Sequence, residues 1–152
     1  MKLLFFSVAT VLLVACGEGN RTAAEAGDGP QTQADSLLQA VIDGHDVAMP
    51  KMKKLERLMN ESKAAIDSLG KLPPAAQKQQ AALKTKLEDA LADLTNADKT
   101  MHDWMNGFRY DSLKDNEPER IRYLQDQKAK VDVMKDAVLN SISKAEGVLG
   151  SK

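Results

Sequence analysis

Residues 83–108 read LKTKLEDALADLTNADKTMHDWMNGF. Leu83, Leu87, Ala90, Leu94, Ala97, Met101, Trp104 and Phe108 recur at alternating steps of four and three. That spacing gathers all eight on one stripe of an α-helix and leaves the charged residues on the other faces. Nowhere does the chain alternate apolar and polar residues with the period of two that a half-buried strand needs. The stretch is therefore read as a bundle helix over 74–108, whose stripe needs a cover.

Both flanks supply one. Upstream, over 33–69, Leu38, Ile42, His45, Met49, Met52, Leu55, Met59, Ser62, Ile66 and Leu69 keep the same steps. Thr32 and Asp35 have capping-box spacing, with Asp in place of Glu. Gly70 is expected just past the helix, and Pro73-Pro74 block its continuation. Downstream, over 117–149, the stripe is Ile121, Leu124, Val131, Met134, Val138, Ile142, Ala145 and Leu149. Asn116 and Glu119 make a second cap, Pro118 sits in the first turn, and Gly150 closes the segment. Short connections make neighbouring helices antiparallel. The expected fold is all-α: an up-down-up three-helix antiparallel bundle with coiled-coil seams. Each helix is roughly 45–55 Å long at 1.5 Å per residue. Leu38, Ile42, Leu87, Leu94, Val131 and Val138 should share one core.

Composition narrows the function. The 152 residues suffice for one domain, and only 4% of them are aromatic, against the make-up of a sandwich or barrel. A net charge of −1 gives no field to attract nucleic acid, so no nucleic-acid partner is expected. A single Cys excludes a disulfide framework and a Cys/His zinc ribbon.

The start of the chain points to the cell envelope. After Lys2, residues 3–15 read LLFFSVATVLLVA, an uncharged run too short to span a bilayer permanently. It ends in Leu13-Val14-Ala15-Cys16, which looks like a bacterial lipobox. An ordinary signal peptide followed by a chance Cys is the alternative. The lipobox resemblance implies a signal peptide over 1–15, a lipidated Cys16 and a bilayer partner for the acyl chains. Residues 16–31 form a polar, Gly-rich tether with a reach of roughly 20 Å, and 32–150 form the helical body. Gly17 stands where the familiar inner-membrane signal has Asp. The expected location is thus the outer membrane, on its periplasmic or surface face.

With the lipobox, the segments GHDVAMPKM (residues 44–52) and MHDWMNGF (residues 101–108) give the chain a family resemblance. It resembles small helical lipoproteins of Bacteroidota that carry the label "viral A-type inclusion protein". That label reflects coiled-coil similarity and implies no activity.

The same two segments hold the chemical signal. His45, Met49 and Met52 share one helix face, and Met101, His102 and Met105 cluster on another. Each His is followed by an Asp, Asp46 or Asp103. Counted from a turn near Leu72, the two His lie at similar distances along facing helices. Imidazole plus thioether is a soft donor set that suits copper, Cu(I) before Cu(II), over Zn, Mg or Ca. The expectation is a copper site shared by His45, Met49, Met52, Met101, His102 and Met105. Pro50, mid-helix, and Gly44, beside His45, break local helix rules next to these residues.

Other readings stay open. Met is ordinary seam filler, and the chain then serves as a structural or adaptor bundle for an envelope protein. Arg109, Tyr110 and Tyr123 are the candidate contacts of such an adaptor. An oxidant-sensing Met cluster and a His/Met haem site are further, thinner readings. No catalytic constellation stands out: two His are too few for an HD-type phosphohydrolase, and no carboxylate pair sits in an apolar setting. No enzymatic activity is expected.

Overall fold

The computed structural model describes residues 32–150, so the signal-peptide reading, Cys16 and the tether fall outside the described residues. Within them the regular elements are all helical: α1 (Gln33–Ala48), a single 3-10 turn (Met49–Lys51), α2 (Met52–Gly70), α3 (Pro74–Gln79), α4 (Ala81–Gly107) and α5 (Glu117–Leu149). The body is an all-α helical bundle. No described helix is long and apolar enough to cross a membrane.

The caps follow the sequence. The Thr32 hydroxyl accepts from Asp35 N–H at 3.1 Å while the Asp35 carboxylate accepts from Thr32 N–H, closing the capping box. Asn116 caps α5 by accepting from Glu119 N–H at 3.3 Å, with Pro118 in the first turn. Gly70 departs from expectation. It is the last residue of α2, no described glycine has positive φ, and the chain leaves through Lys71 in a right-handed conformation.

Two of the three expected segments are interrupted. Pro50 has no N–H to give the Asp46 carbonyl. The chain meets this by tightening into 3-10 geometry, where Met49 N–H still reaches the His45 carbonyl and Met52 N–H the Met49 carbonyl. The second segment starts as the short α3, with Pro74 at its first position, and re-forms as α4 after Gln80.

Three contacts fix how the rods lie. Gly44 meets Val131 and Lys54 pairs with Glu146 at 2.7 Å, so residue numbers rise together along α1–α2 and α5. Asp93 on α4 pairs with Lys144 on α5 at 2.6 Å, near the end of α5. Leu87, Leu94, Leu124, Val131, Met134 and Val138 are fully buried between the rods. On α1 the expected stripe is rotated by about one residue. Val41, Gly44 and Ala48 are buried, and Leu38 and Ile42 only half-buried. Both sets obey the same spacing, and the one with small residues wins because it lets α1 approach α5 closely.

The α4–α5 turn is pinned from inside. The buried Arg120 guanidinium donates to the Ser112 carbonyl at 2.7 Å and to the Tyr110 carbonyl at 3.3 Å. Arg109 N–H donates to the Tyr123 hydroxyl at 2.7 Å. Leu113 takes φ 58°, the only positive φ among the described non-glycine residues.

Candidate metal centre

Residues one turn apart on α2 and α4 face each other across a half-open groove of about 600 Å³. Its lining includes Met49, Met52 and Met59 from one wall and Met101, His102 and Met105 from the other. Six methionines lie among the described residues, and five of them line this one groove. The sixth, Met134, is sealed in the core. Glu56, Asn60 and Asp98 add oxygen donors at the edge, and Lys53 and Lys63 add cations.

The walls differ in accessibility. Met49, beside the 3-10 turn, is 44% exposed, while Met101 is fully buried. Met52, Met59 and Met105 are partly buried and pack against the core. The groove is thus lined by thioethers over a packed floor.

His102 is held by its own helix. Its Nδ1 lies 2.8 Å from the Asp98 carbonyl oxygen, which can only accept, so Nδ1 carries the hydrogen. In the neutral ring Nε2 then keeps its lone pair free for a ligand. The Asp98 carboxylate lies 3.6 Å from the same Nδ1. Asp103, which follows His102, is engaged by Lys99 instead. Neighbouring residues on a helix point about 100° apart, so the residue one turn back serves better.

His45 goes elsewhere. It does not line the groove. Its Nδ1 lies 2.9 Å from the Asp46 carboxylate, and its ring is 5.5 Å from that of Trp104. Trp104 stacks on Phe108 at 5.0 Å, and Phe108 on Tyr123 at 6.3 Å, so one aromatic column ties α1, α4 and α5 together. The reason is angular: Trp104 and His102 are two residues apart, a spacing that puts side chains on nearly opposite helix faces. A partner of Trp104 therefore does not also face His102. Of the six residues expected to share a site, Met49, Met52, Met101, His102 and Met105 line this groove and His45 does not. Met59 joins them, seven residues after Met52 and on the same face.

No group of three or more His, Cys, Asp or Glu side chains able to hold a metal ion is found among the described residues. The groove offers sulfur and one imidazole, with the oxygens of Glu56, Asn60 and Asp98 beside them. Comparison of the chain with protein-family models, with curated proteins and with solved structures gives no match.

Proposed function

We propose that this chain is a lipid-anchored envelope protein, held through Cys16, whose helical body binds Cu(I) in the methionine groove. The observation that carries the reading is the gathering of five of the six described methionines and His102 on one groove. Thioether sulfur and imidazole nitrogen are the donors that Cu(I) prefers, and neither oxidises as readily as a thiol outside the cytoplasm. His102 Nε2 and the sulfurs of Met52, Met59 and Met105 are the ligands assigned, with Met49 at the entrance. His45 is assigned to the aromatic column and not to the ion.

A competing reading has its own observation. Met52, Met59 and Met105 pack against the core, as filler would, in a bundle that serves as an adaptor for an envelope partner. Titration of the full chain in detergent with Cu(I), against a chromophoric Cu(I) chelator under a reductant, separates the two. The copper reading expects one equivalent held by the wild-type chain, weakened at least tenfold by His102→Ala and by Met52→Leu, with His45→Ala unchanged. Wild-type binding no tighter than that of a chain lacking all the groove sulfurs leaves the packing reading in place.

A further inference from the structure

The α4–α5 turn, residues 108–116, has a build that, beyond Phe108, neither copper binding nor core packing uses. Tyr110 is 55% exposed and Leu113 40% exposed. Leu113 also holds φ 58°, a conformation that Gly or Asn adopts readily and that strains a branched side chain. The strain persists because the turn is over-determined. Arg120 grips the carbonyls on both sides of Asp111, and Tyr123 holds Arg109 N–H. A strained, clamped turn that displays an aromatic and an aliphatic side chain is a prepared contact surface.

Its place in the bundle says what it contacts. Gly44 lies level with Val131, and α1 and α5 run in the same sense, so the start of α1 lies beside the start of α5. Asp35, in the first turn of α1, lies within electrostatic reach of Arg120, in the first turn of α5, in keeping with this placement. The chain therefore enters the body at Thr32 beside this turn. Cys16 precedes Thr32 by 32 − 16 = 16 residues, a polar segment reaching roughly 20 Å. The opposite end of the bundle is farther away by the length of α4, about 40 Å for its 27 residues.

We propose that residues 108–116 form a membrane-contact surface that rests on the bilayer anchoring the chain, through Tyr110 and Leu113. The inference rests on the reading of Cys16 as lipidated. The turn carries two cations and two anions, Arg109 and Lys114 against Asp111 and Asp115, and Lys114 pairs with Asp111. Its contact is apolar and shallow and does not depend on anionic lipid. Tyr suits such a position, with its ring among the acyl chains and its hydroxyl at the headgroups.

The test uses the full chain purified with its anchor and reconstituted into phosphatidylcholine vesicles, with and without brominated acyl chains. Intact mass establishes whether Cys16 carries acyl groups. Tyr110→Trp adds an indole at the turn, Lys71→Trp adds one at the far end, and the emission of Trp104 is subtracted with the unsubstituted chain. The expected result is loss of emission from the indole at position 110 in brominated vesicles and none from that at position 71. Leu113→Asp should abolish the loss, and phosphatidylglycerol should leave it unchanged. A lipidated chain with no quenching at position 110 overturns the inference and leaves the anchor standing. A chain without acyl groups overturns both. Emission at position 110 that follows protein concentration and ignores brominated lipid assigns the turn to a second copy of the chain, and also overturns the proposal.

Discussion

Gly44 is pressed against Val131: a Cβ on Gly44 would stand 3.0 Å from Val131 Cγ1 and 3.4 Å from Cγ2. Two effects of Gly44→Ala compete. Helix propensity favours Ala by about 1 kcal/mol. Overpacking against a fully buried β-branched residue with a stiff χ1 costs about 1–3 kcal/mol. The clash wins, so Gly44→Ala should destabilise by about 1 kcal/mol in urea melts. In a Val131→Ala background the same change should stabilise, because the obstructing methyls are gone. A stabilising Gly44→Ala in the unaltered chain would show that α1 and α5 do not approach here as described.

Pro50→Ala tests whether the 3-10 turn shapes the groove. The turn already accommodates the missing N–H, so relief should be about 1 kcal/mol and not the roughly 3 kcal/mol of a proline forced into a regular helix. With regular helix restored, Met49 and Met52 rotate relative to the α4 wall. Cu(I) affinity should then fall while the melting temperature rises. Equal affinity with higher stability would mean the turn is only a tolerated irregularity.

Arg120→Met removes the clamp while keeping the stem that packs. It leaves the Tyr110 and Ser112 carbonyls without their charged donor, a loss of about 1.5–3 kcal/mol for bonds to a charged group. Amide hydrogen exchange should accelerate in 108–116 well before it does in the middle of α5. Uniform acceleration along the chain would contradict a local role.

Acid sensitivity should come in part from the first turn of α1. Accepting from the Thr32 hydroxyl and backbone N–H holds the Asp35 carboxyl below the usual carboxylate range. A lowered native pKa adds stability above the unfolded value, about pH 4, which disappears as pH falls through the lower native value. Asp132 behaves alike, held down by Lys128 and Lys135. Asp35→Asn should flatten the acid limb of the stability curve and leave the neutral region nearly parallel. An unchanged acid limb would argue that the capping box does not persist in solution.

How much of this is legible beforehand depends on side-chain size. On α4 and α5 the large residues, Leu87, Leu94, Val131 and Val138, are themselves the buried ones, so the spacing reads directly as the core. On α1 the buried positions are Val41, Gly44 and Ala48, and a stripe drawn through the larger Leu38, Ile42, His45 and Met49 is rotated away from them. With the stripe so rotated, His45, read as a partner of His102, lies beside Trp104 and does not line the groove. The methionines are legible as two clusters, and Met59, seen only as a member of the stripe, could have joined them on its seven-residue spacing from Met52. The clamp by Arg120 leaves no trace in the periodicity, because its use depends on where the turn places two carbonyls eight and ten residues before it. The left-handed Leu113 is equally silent, since no Gly or Asn marks the site.

The column of His45, Trp104, Phe108 and Tyr123 has a spectroscopic consequence. Trp104 is the single tryptophan of the chain, and its indole is enclosed by groups from α1, α4 and α5. Its N–H finds no acceptor among the described residues. An indole so shielded emits at short wavelength and shifts to the red once any of the three helices departs and water reaches it. The protein thus contains its own optical gauge of helix association, set one residue from Met105 and four from Phe108, and the wild-type chain can be followed through ion loading and unfolding without a label.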